Sequence, residues 1–100
     1  MLWKDIVELG QQTETEVYHE IIKSWTYRQV YVNKKSVRQS EMYQAATVGL
    51  KPELMFEINT IDFNAEERLK FNNKIYEIIR VYDTGEVTEL VVTTHTGSDV

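Results

Sequence analysis

The sequence has no cysteine, a single proline, four glycines and two histidines among its 100 residues. The absence of cysteine excludes a disulfide framework, a thiolate metal site and a catalytic thiol. Glycines 10, 49, 85 and 97 are scattered, so no glycine-rich loop is available to cradle a phosphate. His19 and His95 lie far apart, with no H-x-x-x-H or H-x-H spacing around either, so a metal site is not expected. Serines 24, 36, 40 and 98 sit in no G-x-S-x-G turn. The acidic neighbours Glu66-Glu67 and the Glu86/Glu89 pair read as solvated acids, since a catalytic dyad needs burial. Apolar runs do not exceed four residues, so neither a membrane span nor a signal-peptide core is expected. These scarcities predict a protein that is not an enzyme and takes no cofactor.

What is present is balanced: 42% hydrophobic, 11% aromatic and 27% charged residues, which suits one compact, soluble, intracellular domain over 1–100. A net charge of −5 opposes general affinity for nucleic acid or anionic membrane, because both reward cations. The charge is unevenly placed. Residues 1–50 are neutral, with Lys4, Lys23, Arg28, Lys34, Lys35 and Arg38 against Asp5, Glu8, Glu14, Glu16, Glu20 and Glu41. Residues 51–100 therefore carry the whole excess of acid, and residues 21–40 hold five cations and no acid. That stretch reads either as a solvated basic segment or as a contact surface for an acidic partner, including the acidic half of a second copy.

Periodicity predicts a mainly β chain. Residues 2–9 read as a first strand, with Gly10-Gln11-Gln12-Thr13 as a turn. Residues 13–32 alternate polar and apolar and predict a long strand or hairpin, in which Tyr27, Gln29 and Tyr31 share one face and Arg28, Val30 and Val32 the other. Asn33-Lys34-Lys35 is expected to end it. Val37, Met42, Ala45, Ala46 and Gly49 recur at helical spacing, so 36–49 predicts a short helix, with Ser36-Val37-Arg38-Gln39 as a capping box, Ser40 as an alternative cap and Gly49 as the left-handed stop before Pro52. A helix this short is marginal alone and must pack on something. Residues 53–61 alternate as a strand, with Leu54, Phe56 and Ile58 inward and Met55, Glu57 and Asn59 outward. Asn72-Asn73 and Asp83-Thr84-Gly85-Glu86 are expected hairpin turns, 87–94 a strand with Leu90 and Val92 inward, and 96–100 a frayed tail. About six strands and one short helix in a long inter-strand loop predict a small antiparallel β-barrel.

Trp25, Tyr27, Arg28, Tyr31, Lys34 and Lys35 interleave aromatics with cations, the pattern of a stacking platform for single-stranded nucleic acid. A monomeric β-barrel nucleic-acid-binding module is therefore an alternative reading. Strand aromatics equally serve cross-strand packing.

The run 27–45, Tyr-Arg-Gln-Val-Tyr-Val-Asn-Lys-Lys-Ser-Val-Arg-Gln-Ser-Glu-Met-Tyr-Gln-Ala, followed by Gly49-Leu50-Lys51-Pro52-Glu53 and by Lys74-Ile75-Tyr76-Glu77-Ile78-Ile79-Arg80-Val81-Tyr82, resembles the head-closure (head–tail adaptor, or stopper) family of tailed bacteriophages and prophages. The resemblance covers about residues 25–92, and its middle run is the specific part. The family often has Asn-Gly where this chain has Asn72-Asn73, and both permit the same turn. The resemblance implies a β-barrel that joins copies of itself in a ring below the portal and adaptor proteins. Such a ring helps retain the packaged genome and offers a docking surface to a tail-completion or tail-tube protein. Double-stranded DNA would pass through the channel without sequence-specific binding, and no membrane would be involved. The expected location is the virion's head–tail connector, with assembly in the host bacterial cytoplasm. A tail-completion or tail-terminator role is the nearest alternative within virion proteins.

In that family the segment between the second and third main strands projects toward the channel or a neighbouring ring; here it is 33–51. A ring needs a heterologous contact, with one face meeting a different face of the next copy. Lys34, Lys35 and Arg38 are the expected cationic side of that contact, and Met42 and Tyr43 its apolar anchors. The alternative for Met42 and Tyr43 is that they pack the helix onto the barrel. The free chain is expected to be monomeric, because preformed rings would compete with ordered assembly.

Overall fold

The structure, a computed structural model, describes residues 3–94. The expected frayed tail 96–100 lies outside the described residues, as do His95 and Leu2. Six strands form a closed antiparallel barrel: β1 (Asp5–Val17), β2 (Glu20–Lys35), β3 (Leu54–Asn59), β4 (Arg68–Phe71), β5 (Lys74–Asp83) and β6 (Val87–Thr94), in the order β1-β2-β3-β6-β5-β4. One α-helix, α1 (Gln39–Ala46), lies in the β2–β3 connection, as expected.

Alternation fills the interior. Val7 and Leu9 of β1, Val30 and Val32 of β2, Phe56 and Ile58 of β3, Leu69 of β4, Tyr76 of β5, and Leu90 and Val92 of β6 form one buried cluster. Each such side chain contributes about 1.5–3 kcal/mol through removal from water. Phe56 and Phe71 meet edge to face, with centroids 5.2 Å apart. The expected turns close the second half. Asn72 and Asn73 adopt φ of 51° and 63°, and Gly85 adopts 111°.

The first half departs from expectation. The β1–β2 ladder runs unbroken from Asp5 opposite Val32 to Val17 opposite Glu20, so 10–13 is strand and the turn is Tyr18-His19. Gly10 is mid-strand because the Tyr27 ring crosses over it: a Cβ at Gly10 would lie 2.6 Å from Tyr27 Cε1. The glycine marks close approach of a ring, not a turn. β2 continues to Lys35, since Val32, Asn33, Lys34 and Lys35 pair with Ile58, Glu57, Phe56 and Met55.

The helix is eight residues long rather than spanning 36–49, because residues 36–38 are needed to leave the β2–β3 ladder. Its N-cap is Arg38, with no side-chain cap bond, so neither Ser36 nor Ser40 caps it. The C-terminal reading holds. Gly49 has φ 76°, Leu50 N–H donates to Ala45 O (2.9 Å) and Gly49 N–H to Ala46 O (3.1 Å), a Schellman arrangement. Met55, expected outward and solvated, is outward yet fully buried, as is its ladder partner Val91. Both lie on the outer barrel strip to which α1 is tethered.

β1 and β2 outgrow the barrel. β1 meets β4 only over Glu8, Leu9 and Gly10, and β2 meets β3 only from Val32 onward. Beyond those contacts the two strands pair with each other alone and form a protruding two-stranded ribbon. It stretches the molecule to 48 × 32 × 25 Å, with a radius of gyration of 14.6 Å. A compact chain of this length has about 13 Å.

Candidate interaction surface

The barrel end opposite the ribbon is built where β2 leaves the sheet. Lys34 N–H donates to Asp5 Oδ2 (3.0 Å), and Lys4 N–H donates to Asn33 Oδ1 (2.9 Å), pinning the N-terminal segment beside the end of β2. From there the chain passes through Ser36 and Val37 into α1, and returns through Pro52 and Glu53 into β3. Between these two crossings lies an open groove of about 640 Å³, lined by Lys34, Lys35, Val37, Met42, Pro52 and Leu54 with Ser36 and Glu53. Lys34, Lys35 and Met42 are thus brought together. Arg38 and Tyr43 are not among the lining residues.

Arg38 instead faces the barrel wall. Its two terminal nitrogens reach the Glu89 carboxylate at 3.0 and 2.9 Å, a bidentate pair, and Glu41 lies 3.8 Å away. Glu41, only 3% exposed, also takes Arg80 Nε at 3.2 Å. Arg80 hydrogen-bonds Gln44 on the next helical turn and stacks over the Tyr82 ring at 5.0 Å. The helix is therefore clipped to β5 and β6 by charge, with Ala45 as its buried apolar contact. Tyr43 is 67% exposed, and Met42, 39% exposed, lines the groove.

The uneven charge of the sequence finds its use inside the chain. Arg28 pairs with Glu66 (2.7 Å), Lys35 with Glu57 (3.2 Å) and Arg38 with Glu89 (2.9 Å), each joining the acid-free stretch to the acidic half. Lys23 lies 4.0 Å from Glu14 on the ribbon. Among the described residues, Lys34 is the cation of this stretch whose ammonium has no ion pair. Sequence reasoning missed Glu41, Glu66, Arg80 and Glu89. The signal available was the charge partition itself, read as a partner in cis.

The aromatic–cation pattern of β2 also resolves. Trp25, Tyr27 and Tyr31 share the outer face, but Arg68 sits 4.0 Å over the Trp25 ring and Lys70 5.6 Å from the Tyr27 ring centre. Arg28 points to the opposite face and binds Glu66. Tyr31, 59% exposed, is the ring left open. Among the described residues no group of three or more His, Cys, Asp or Glu is placed to hold a metal ion, and no helix is long and apolar enough to cross a membrane.

The Arg38 hydrogen bonds hold the Glu89 carboxyl below its ordinary value of 4.5, and the Thr94 hydroxyl and N–H do the same for Glu53. A carboxyl depressed in the folded state stabilises fully above its ordinary value, and that contribution is lost as pH falls through the lowered one. Acidification below the ordinary value of 4.5 is therefore expected to release α1 before the barrel opens. Amide hydrogen exchange would show it as loss of protection over Gln39–Ala46 while β3 and β6 stay protected. In Arg38→Ala, α1 protection is expected to be lower at neutral pH and nearly unchanged on acidification.

No protein-family model matches the chain, and no curated protein is significantly similar to it in sequence.

Proposed function

We propose that this chain is a non-enzymatic structural component of a phage or prophage head–tail connector. It assembles as a ring under the portal and adaptor, helps close the DNA-filled head and docks the tail. The supporting observation is the β2–β3 connection. The residues that carry the resemblance, 27–45, run along β2 into a helix clipped to the barrel's outside, beside an open groove edged by Lys34 and Lys35. This is the segment through which such a protein is expected to meet its neighbours. A closed barrel suits a part that acts by position. The covered faces of Trp25 and Tyr27 lend less support to the nucleic-acid-binding alternative.

Charge reversal tests the reading. Lys34→Glu with Lys35→Glu is expected to reduce recruitment to isolated portal–adaptor complexes at least tenfold, by placing acids against a complementary surface. Lys35→Glu also sets an acid beside Glu57, so Lys34→Glu alone is the decisive variant: its own fold loses no ion pair. Unchanged recruitment of Lys34→Glu, measured by sedimentation with the complexes, would sink the proposal.

A further inference from the structure

The ribbon tip is built against local preference. Both two-residue hairpin loops of the barrel's first sheet neighbours place their central residues in the left-handed region. Asn72 and Asn73 do so with φ of 51° and 63°, and Tyr18 and His19 with 50° and 66°. Asparagine tolerates this conformation, whereas for a bulky side chain such as tyrosine it costs about 1–2 kcal/mol. The same chain thus solves one turn with the favoured residue type and the other with an aromatic. Tyr18 is also 93% exposed, and Ile21 and Ile22 behind it are 66% and 48% exposed. An exposed aromatic held at a strained turn, on a two-stranded ribbon that has no core of its own, is a contact residue awaiting a surface.

The surface is present at the other end of the molecule. The tip region carries Glu14, Glu16 and Glu20 against Lys23, so it is acidic and apolar. The groove between β2, α1 and β3 is lined by the apolar Val37, Met42, Pro52 and Leu54 and edged by Lys34, whose ammonium is unpaired, with Glu53 also in the lining and Lys35 held by Glu57. Its volume of about 640 Å³ accommodates a tyrosine side chain and its neighbours. Tip and groove lie at opposite ends of β2, whose 16 residues run along the molecule's 48 Å long axis. The tip therefore cannot reach the groove of its own chain, and the complementary surfaces can meet only between copies.

We infer that the β1–β2 ribbon tip of one copy docks into the Lys34–Leu54 groove of a second copy, with Tyr18 as anchor among Val37, Met42, Pro52 and Leu54 and the tip acids facing Lys34. The contact is heterologous, so repetition builds a closed ring or an open chain of subunits. One tip buries far less than the roughly 1,200 Å² of a stable complex, so a single contact is weak and gains strength when several close together. A free chain is then monomeric when dilute. The inference deepens the connector reading and rests on it only in taking self-assembly as the chain's task.

The cysteine-free sequence makes the contact directly testable. His19→Cys and Met42→Cys variants, mixed at about millimolar concentration and oxidised with copper phenanthroline, are expected to form a mixed disulfide dimer, because the first keeps the Tyr18 anchor. Its yield should exceed that of His19→Cys with Ile61→Cys, an 89% exposed control site, by about tenfold, the factor that 1.4 kcal/mol supplies. Excess native chain should suppress the dimer. Adding Tyr18→Asn to the His19→Cys chain should bring the yield down to the control level. A mixed dimer no more abundant than the control, a preference for His19→Cys homodimers, or an equal yield with and without Tyr18→Asn would overturn the inference. Trapping uses the purified chain alone. Trapping without recruitment to portal–adaptor complexes would remove the connector reading and leave the contact, and recruitment without trapping would do the reverse.

Discussion

Phe56→Ala is expected to remove most of the stability of this domain. Phe56 is fully buried at the centre of β3, between Leu90 across one ladder and Lys34 across the other, with its ring against the Phe71 edge. Truncation forfeits the transfer free energy of the ring and leaves a cavity that a closed barrel cannot collapse, because the ladders on both sides fix the strand spacing. Substitutions of this kind cost about 3–5 kcal/mol. Whole domains of this size have about 5–15 kcal/mol to lose. The melting temperature should fall by well over 10 °C, at about 4–8 °C per kcal/mol for a chain of this length. In urea the midpoint should drop with an unchanged slope. Ile61→Ala, at an 89% exposed position, should move the midpoint by no more than about 0.5 kcal/mol. A Phe56→Ala loss as small as that of Ile61→Ala would mean the barrel core is not where the burial places it. The variant also bears on function: Phe56 faces Lys34 across the β2–β3 ladder, so loosening this strand loosens the groove edge.

The barrel half with two-sided packing was legible from sequence, and the ribbon was not. β3, β5 and β6 alternate because one face meets the core, and their turns carry Asn72-Asn73 and Gly85, residues whose chemistry announces the conformation. β1 beyond Gly10 has no core to face. Gln11, Gln12, Thr13 and Glu14 therefore read as a turn by composition while lying in an unbroken ladder, and the true turn, Tyr18-His19, carries no turn signature. Met55 stands on the outer face, as expected, yet is fully buried, because alternation tells which face a side chain occupies and cannot tell what covers that face. The helix itself was visible through Gly49, but one of its two buried positions is an acid, Glu41, whose partner Arg80 comes from β5. Hydrophobic periodicity has no means of finding an ion pair between distant elements. The segregation of charge was the legible trace of the candidate surface. Its first meaning is cis pairing of Arg28, Lys35 and Arg38, which leaves Lys34 at the groove as the cation open to a partner.

Arg28→Ala is the second large effect, and it separates stability from orientation. Arg28 stands where the ribbon leaves the barrel, opposite Leu9, on the face that continues the interior. Its Nε reaches Glu66 Oε2 at 2.7 Å, and its Nη2 donates to the Asp62 carbonyl. Glu66 is 5% exposed, and its other oxygen accepts the Asn64 N–H at 2.7 Å, which holds Ala65 at φ 59°. Glu67 N–H then donates to Gly10 O, so this loop straps the ribbon root to β4. Removing the guanidinium leaves a buried carboxylate without its cation, a change that costs about 3–5 kcal/mol when the pair is fully buried. The Arg28 side chain is 40% exposed, which places the expected loss at the lower end, about 3 kcal/mol. Glu66→Gln keeps the hydrogen-bond acceptor and should cost less, and Arg28→Met with Glu66→Leu should recover most of the loss by burying apolar atoms in place of the pair. A loss below about 1 kcal/mol for Arg28→Ala in urea titrations would show that the pair is solvated and carries little. The double variant is the informative one for assembly. It restores stability without restoring the bond to the Asp62 carbonyl, so the ribbon keeps its strands and loses the strap that sets its direction. If a fixed ribbon direction is what brings one tip to the next groove, this variant melts close to the native chain yet traps the His19–Met42 dimer several-fold less.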